Sequence, residues 1–101
     1  MKVSRLFLER PRAIRTLICL LENEGKGLDE ILEAIGGSKT TGMRRIAELS
    51  ELKLVEKRAS PKEIRKILYS LTEEGKIAAI ELRRLAEMIE KAKANAQRTR
   101  E

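Results

Sequence analysis

Residues 68–76, with the sequence LYSLTEEGK, constrain the fold more than any other stretch of this chain. The first four residues include Leu68, Tyr69 and Leu71 and have the composition of a strand, whereas Thr-Glu-Glu-Gly-Lys has that of a helix start. The change takes one residue. We expect Tyr69 and Leu71 to fix the strand on the core, Thr72 to cap the helix, and Gly75 to let its first turn pack closely against the sheet.

The chain is long enough for one domain with a modest core, and its charge is unbalanced. It has 101 residues and carries 22 Lys+Arg against 16 Asp+Glu, a formal net charge of +6. A basic excess on so small a domain indicates an anionic partner, most often nucleic acid, although a merely solvated basic surface is the alternative. Abundant Lys, Arg and Glu with scarce Asn and Gln also favour a thermophilic source.

The absence of histidine and the single cysteine exclude several kinds of chemistry. They remove His-based acid–base catalysis, the usual zinc sets and any intrachain disulfide, so the sequence predicts no enzyme activity, no metal and no cofactor. Cys19 lies in an apolar run and is interpreted as a buried small residue rather than a redox sensor. One cysteine, no membrane-length apolar run and no signal-peptide pattern predict a cytoplasmic, nucleoid-associated protein.

Helical spacing of apolar residues predicts two helices before residue 38. Pro11 suits the first position of helix one, which Gly25 ends, and Phe7 is expected to pack on the core. Asp29 is the expected cap of helix two, which ends at Gly36-Gly37. The apolar residues that define the two helices are Ala13, Ile14, Leu17, Ile18 and Leu21, followed by Ile31, Leu32 and Ile35.

A third helix is predicted from a cap at Ser38 to about Leu52, with Gly42, Ile46 and Leu49 facing the core. The opposite face carries Thr40, Met43, Arg44 and Ala47, and the flanks carry Lys39, Thr41 and Arg45. Two short helices joined by a Gly-Gly-Ser turn, the second exposing Lys, Thr and Arg, are typical of a helix-turn-helix.

The following segment predicts a basic β-hairpin. Residues 54–58 form the first expected strand, residues 59–63 with Pro61 the turn, and residues 64–71 the second strand, with Ile67, Tyr69 and Leu71 on one face. Three helices followed by such a hairpin, or wing, are in the order of a winged helix. The predicted fold is therefore mainly α with a small β-hairpin wing (α+β).

Two stretches resemble winged-helix transcriptional regulators of the MarR, ArsR and PadR type. ELSELKLVEKR, residues 48–58, resembles the end of their recognition helix and their first wing strand, and ILYSLTEEGK resembles the sequence that closes the wing. The resemblance covers roughly residues 12–76 and implies a small archaeal-type regulator that binds double-stranded DNA. Lys53 departs from it, because the family usually has glycine there, and so does Gly42, where a β-branched residue is common.

Reading a major groove requires short or flexible polar side chains on the leading face of a helix. The expected contacts on the recognition helix are Ser38, Lys39, Thr40, Thr41, Met43, Arg44 and Arg45, with Arg44 placed for a bidentate contact to guanine. The expected contacts on the wing are Lys57, Arg58, Ser60, Lys62 and Arg65, which would reach phosphates or the flanking minor groove. The acidic second helix is expected to stay away from the DNA, and a solvated role for all these charges remains the alternative.

From Glu73 to about Arg98 the sequence predicts a helix of roughly 39 Å, longer than a small winged domain can cover. We therefore divide the chain into a DNA-binding domain, residues 1–72, and a dimerisation helix, residues 73–101, within one structural unit. Positions spaced by four and three form a coiled-coil seam of Ala78, Leu82, Leu85, Ile89, Ala92 and Ala96. A homodimer would present two recognition helices to successive major grooves, whereas a helix folded onto its own domain is the alternative.

Two other functions are compatible with the sequence: a protein-interaction winged helix within a larger assembly, and a chromatin-like binder without sequence preference. The operator, the regulated genes, the sign of regulation and any small-molecule effector are not encoded in a recognisable pattern.

Overall fold

The structure, a computed structural model, describes residues 6–99, with side chains to residue 98. A short 3-10 turn at Phe7–Glu9 precedes the regular elements. These are helix α1 (Ala13–Glu22), strand β1 (Lys26–Gly27), helices α2 (Leu28–Ile35) and α3 (Lys39–Glu51), strands β2 (Val55–Ala59) and β3 (Ile67–Leu71), and helix α4 (Glu73–Thr99). The predicted order of three helices, a hairpin and a long last helix is confirmed.

The three strands form one antiparallel sheet with the order β1-β3-β2. In the hairpin, Val55 pairs with Leu71 and Ala59 pairs with Ile67. Lys26 pairs with Tyr69 on the other edge of β3, next to a hydrogen bond from the Gly25 amide to the Tyr69 carbonyl (2.9 Å). The sequence did not predict β1, because a Lys-Gly pair has no strand pattern and becomes a strand only through its partner.

The core lies where the first three helices meet the base of the hairpin and the start of α4. Leu17, Leu20, Ile31, Ile35 and Leu49 are fully buried there. Val55, Tyr69 and Leu71 close the core from the sheet, Ala79 contributes from α4, and Phe7, Cys19 and Leu82 pack against its edge. The apolar spacing of the sequence thus identified most of the core.

Two predicted helix starts are wrong. Helix α1 begins at Ala13 rather than Pro11, after Arg12 in a left-handed conformation (φ 62°), whose carbonyl accepts hydrogen bonds from the Thr16 amide (2.9 Å) and hydroxyl (2.7 Å). Helix α2 follows Gly27 without a side-chain cap, so Asp29 lies in its first turn instead of capping it. Gly27, which is extended and pairs with Leu68, occupies the N-cap position, so Asp29 lies too far along the helix to cap it.

The hairpin is shifted from its predicted bounds. Strand β2 runs one residue further, to Ala59, and β3 begins at Ile67 rather than Ile64. The intervening residues 60–66 form an internally hydrogen-bonded loop in place of a longer strand.

The junction between β3 and α4 confirms the expected roles of Thr72 and Gly75. The Gly75 amide donates to Thr72 Oγ (3.2 Å), while Thr72 Oγ donates to the Lys53 carbonyl (2.9 Å) and the Thr72 amide donates to the Leu54 carbonyl (2.9 Å). A Cβ on Gly75 would overlap the Leu54 carbonyl oxygen, a backbone atom that cannot turn aside. The start of α4 is thereby clamped to the end of α3.

Lys53 ends α3 in the conformation that glycine usually supplies. Its φ is 60°, its amide donates to the Ser50 carbonyl (3.1 Å), and the next amide, of Leu54, donates to the Leu49 carbonyl (2.9 Å). These are the two hydrogen bonds of a Schellman motif. Lys53 therefore departs from the family pattern in sequence but keeps the left-handed C-terminal turn.

Candidate nucleic-acid interface

Helix α3 has one buried and one exposed face. Ser38 Oγ accepts a hydrogen bond from the Thr41 amide (3.4 Å), which confirms the predicted cap. A Cβ on Gly42 would lie 2.6 Å from Leu32 Cδ2, so the glycine lets α3 approach α2 closely. The predicted leading face is exposed and consists of Ser38, Lys39, Thr40, Met43, Arg44 and Ala47, with Thr41 half-buried beside it. Amides at the start of a helix have no partner within it and are free for an anion.

Arg45, predicted on the flank of α3 as a DNA contact, is buried instead of exposed. It is only 4% exposed; its Nε lies 2.7 Å from Glu48 Oε1, and its Nη1 donates to the Pro11 carbonyl (3.3 Å). Glu48 Oε2 also accepts a bond from Arg10 Nη1 (2.6 Å). We therefore remove Arg45 from the proposed DNA contacts.

The Arg10–Glu48–Arg45 cluster was missed by the sequence reasoning, although a signal for it existed. At 100° per residue, Arg45 lies only about 40° from Leu49, on the buried side of the helix wheel. Glu48 follows three residues later, the spacing of an ion pair within a helix. The cluster joins the segment before α1 to the recognition helix and sets the position of that helix on the domain.

The cationic wing residues are all exposed. Within residues 6–99, no carboxylate forms an ion pair with Lys57, Arg58, Lys62 or Arg65, nor with Lys39 or Arg44 of α3. Lys57 lies over the Tyr69 ring, 5.9 Å from its centroid. We call Lys57, Arg58, Lys62 and Arg65 the wing cations. Together with α3 they present a cationic surface that is not neutralised by the described part of the chain.

The loop that carries Lys62 and Arg65 is held together by its own hydrogen bonds. Ser60 Oγ accepts from the amides of Lys62 and Glu63 (3.2 Å each), and the Ser60 amide donates to the Lys66 carbonyl (2.8 Å). The hydroxyl oxygen of Ser60 thus organises the loop, and its contact with DNA stays a prediction.

Lys66 connects this loop to α2. Its Nζ lies 3.4 Å from Glu30 Oε1 and 3.5 Å from Glu63 Oε1. The hydrogen bond to Glu30, reinforced by the charge of Glu63, raises the pKa of Lys66. Glu30 and Glu63, two acidic groups near the wing, are therefore engaged by Lys66, whereas the wing cations form no ion pair among residues 6–99.

The outward side of α4 carries a row of apolar side chains. Ile77, Leu85, Met88 and Ile89 are 58%, 52%, 61% and 59% exposed, and we call them the outer stripe. Of the predicted seam, Leu85, Ile89, Ala92 and Ala96 are exposed, whereas Ala78 and Leu82 are half-buried towards the chain's own domain. The strict seam spacing missed Ile77 and Met88, which lie on the same outward side.

Cys19 is half-buried rather than fully enclosed. Its Sγ donates to the Ala34 carbonyl (3.5 Å). Burial, and then the charge of Glu22, raise the pKa of the thiol. A raised pKa lowers the thiolate fraction and hence the reactivity of the sulfur.

Comparison with solved structures shows which fold this is. The transcriptional regulator SlyA has a TM-score of 0.75 and 24% identity over 88% of this chain and 62% of its own. The MarR family transcriptional regulator SPO1453 from Silicibacter pomeroyi has a TM-score of 0.72 and 21% identity over 86% of this chain and 61% of its own. F-93 of SSV1 has a TM-score of 0.67 and 26% identity over 90% of this chain and 99% of its own.

The chain thus spans about three fifths of the length of SlyA and SPO1453. No protein-family model matches it, and no curated protein matches it by sequence. Across residues 6–99, none of the helices combines the length and apolar character needed to span a bilayer. The likeness therefore rests on three-dimensional structure: this chain has the winged helix-turn-helix fold of MarR-family transcriptional regulators.

Proposed function

We propose that this protein is a homodimeric transcriptional regulator that binds double-stranded DNA sequence-specifically, in the cytoplasm and on the nucleoid. The observation that supports this most directly is the exposed cationic surface of α3 and the wing, formed by Lys39, Arg44 and the wing cations, none of which forms an ion pair among residues 6–99. The winged-helix likeness to regulators agrees with it. No catalytic step or cofactor is part of the proposal.

In this proposal α3 enters the major groove. Arg44, which is exposed, contacts the O6 and N7 atoms of a guanine, while Thr40 and Met43 contact neighbouring base edges or thymine methyl groups. Lys39 and the free amides after Ser38 hold a phosphate. Buried Arg45, through its ion pair with Glu48 and its hydrogen bond to the Pro11 carbonyl, holds α3 in its orientation without touching DNA.

The wing lies on the adjacent backbone or minor groove. The wing cations supply charge, which raises affinity for any sequence and makes it fall with salt. The acidic face of α2, with Asp29 and Glu33 exposed, is kept away from the phosphates.

Dimerisation is proposed through the outer stripe of α4, continued by Ala92 and Ala96. A row of large, half-exposed apolar side chains on one side of a long helix is typical of a helix–helix interface. A two-fold dimer formed there would place two copies of α3 on one side of the duplex and would favour a pseudo-palindromic site.

Base readout and charge can be separated by two single variants. Bound duplexes are selected from a random pool, and the affinities for the best site and a scrambled duplex are measured at two salt concentrations. Arg44→Ala is expected to lose about 1–3 kcal/mol on the best site and to relax discrimination, whereas Lys62→Ala weakens both duplexes alike. Glu33→Ala, on the far acidic face, is the matched control and leaves both affinities within error.

The outcomes distinguish the rival functions. A steep salt slope without a preferred site indicates a chromatin-like binder. No binding at low salt rejects both nucleic-acid functions and leaves the protein-interaction module. Intact discrimination in Arg44→Ala means that the recognition face is assigned wrongly.

A further inference from the structure

The tip of the wing presents one large apolar side chain almost entirely to solvent. Ile64 is 94% exposed, well above every other exposed large apolar side chain in the described part of the chain, where Met88 follows at 61%. Single exposed apolar residues are common on protein surfaces, so the exposure alone decides nothing. The geometry around Ile64 and the charge of its neighbours carry the argument.

Ile64 is held outward by a tight turn. The Lys66 amide donates to the Glu63 carbonyl (3.4 Å), so Ile64 and Arg65 are the two central residues of a β-turn. Arg65 has a φ of 67°, the left-handed conformation that a type II turn requires at its third position. The side chain at the second position of such a turn lies at the outer corner, and Ile64 occupies that position.

Hydrogen bonds within residues 60–66 hold the turn that carries Ile64. Ser60 accepts two amide hydrogen bonds from within the loop and donates one across it to Lys66. The left-handed Arg65 is a non-glycine residue kept in a strained conformation, which is found where the surrounding structure fixes a particular shape. The strained backbone at Arg65 thus accompanies a loop shape that leaves the Ile64 side chain exposed to solvent.

The neighbours of Ile64 are cationic. Lys62 precedes it and Arg65 follows it, both exposed and without an ion pair among residues 6–99, while the carboxylate of Glu63 is engaged by Lys66. An apolar tip between two free cations suits a surface that is anionic outside and apolar within. A DNA minor groove offers such a surface where a base step opens: phosphates line its edges, and the apolar faces of the bases become accessible between them.

The hairpin is long enough to reach such a groove. Four residue steps separate the core pair Val55–Leu71 from the pair Ala59–Ile67, which at 3.4 Å per step extends the wing by about 14 Å before the loop begins. The minor groove next to an occupied major groove lies about half a helical turn away, roughly 17 Å.

We propose that Ile64 is an apolar wedge that enters the minor groove beside the operator and partly unstacks one base step, bending the duplex. The proposal rests on the DNA binding proposed above and adds a second mode of recognition to it. Lys62 and Arg65 hold the phosphates on either side of the wedge. Specificity would then extend to the flexible pyrimidine–purine steps, TA and CA, that unstack most readily.

The test uses the full chain and a duplex selected from a random pool. Adenines at TA and CA steps flanking the central site are replaced one at a time by 2-aminopurine, whose fluorescence rises when it unstacks, and the bend is measured by energy transfer between dyes at the duplex ends. The wild type is expected to raise the fluorescence at one flanking step on each side and to shorten the end-to-end distance.

Three variants make the readout specific. Ile64→Ala is expected to abolish the fluorescence rise, to straighten the duplex and to weaken binding by about tenfold, because the buried apolar contact is lost. Ile64→Met keeps an apolar wedge and retains most of the effect. Pro61→Ala, another exposed loop position, is the matched control and retains both signals.

The failures of the two proposals are distinguishable. If the wild type binds no duplex at low salt, both the DNA-binding function and the wedge are rejected. If Ile64→Ala binds, bends and unstacks the duplex like the wild type, DNA binding stands and the wedge is rejected. If the substitution changes only the oligomeric mass, Ile64 contacts protein, and the wedge is likewise rejected.

Discussion

The two ends of α4 are built on different principles. At its start, Thr72 and Gly75 are tied by hydrogen bonds and close packing to the backbone of Lys53 and Leu54. About three to four turns further on, Leu85, Met88 and Ile89 are more than half exposed. One helix thus has a beginning that is fixed by its own chain and a distal part whose apolar side chains are exposed.

This difference separates two kinds of stability. The junction at the start of α4 contributes to the free energy of unfolding of one chain, independent of concentration. Apolar surface buried between two chains contributes only when they associate, so its effect depends on protein concentration. In the proposed dimer the rigid start would transmit the geometry of the distal interface to the recognition helices.

The largest effect is expected from breaking the distal interface. Leu85→Glu combined with Ile89→Glu places charges on the outer stripe of both copies and should raise the dimer dissociation constant about a thousandfold or more, because two apolar side chains per copy are lost. Light scattering should report the mass of a monomer that retains its helical circular dichroism. Ala94→Glu adds a carboxylate on the far side of α4 and should leave the mass unchanged, whereas an unchanged mass in the double variant contradicts the interface.

The close packing at the start of α4 is tested at Gly75. Gly75→Ala introduces a Cβ that overlaps the Leu54 carbonyl oxygen, so the junction must open, and the free energy of unfolding should fall by roughly 3 kcal/mol. Urea unfolding measures the loss. Glu74→Ala, one residue earlier and exposed, is the control and should stay near the wild type; a mild effect in Gly75→Ala would mean that the junction is not close-packed.

The sequence predicted the junction and the elements around it because local signals there agree with the tertiary structure. Thr72 caps, Gly75 packs closely and Tyr69 is buried, as the residue types indicate. Strand β1 has no such signal, since Lys26 and Gly27 are extended only by pairing with β3. Its prediction would have required knowledge of where β3 lies.

In the candidate site, too, features with a local sequence signal were predicted and features that depend on distant partners were not. Exposure of Thr40, Met43 and Arg44 follows from helical periodicity and was predicted. The burial of Arg45 does not follow from its basic residue type, because the Glu48 carboxylate and the Pro11 carbonyl that accept its N–H groups come from two different segments. The outward position of Ile64 was hidden for a related reason: its apolar character suggested a strand, whereas the hydrogen bonds of the loop make it the corner of a turn.

A smaller effect is expected at Lys53, which ends α3 next to the start of α4. Lys53 adopts a left-handed conformation at the end of α3, which is sterically unfavourable for a residue with a Cβ. Lys53→Gly should therefore raise the free energy of unfolding by about 1 kcal/mol. Lys53→Ala keeps a Cβ and is the matched control for the lost charge; it should not be stabilised. Equal gains in both variants would attribute the effect to charge and contradict the conformational explanation.

The smallest effect concerns the ion pair between Lys76, in the first turns of α4, and Glu24, whose Oε1 lies 2.9 Å from Nζ. The hydrogen bond to Glu24 raises the pKa of Lys76 above its usual value of 10.5. Because this pKa is raised in the folded state, the stabilisation by the Lys76–Glu24 ion pair is fully present below pH 10.5. It is lost as the pH rises through the folded-state pKa of Lys76. Glu24→Gln should therefore have a lower melting temperature than the wild type at pH 8, and the two should converge as the pH rises through the folded-state pKa of Lys76. High salt should shrink the difference at pH 8, because the pair is partly exposed. A difference that persists at high pH would mean that Glu24 stabilises the start of α4 by packing rather than by charge.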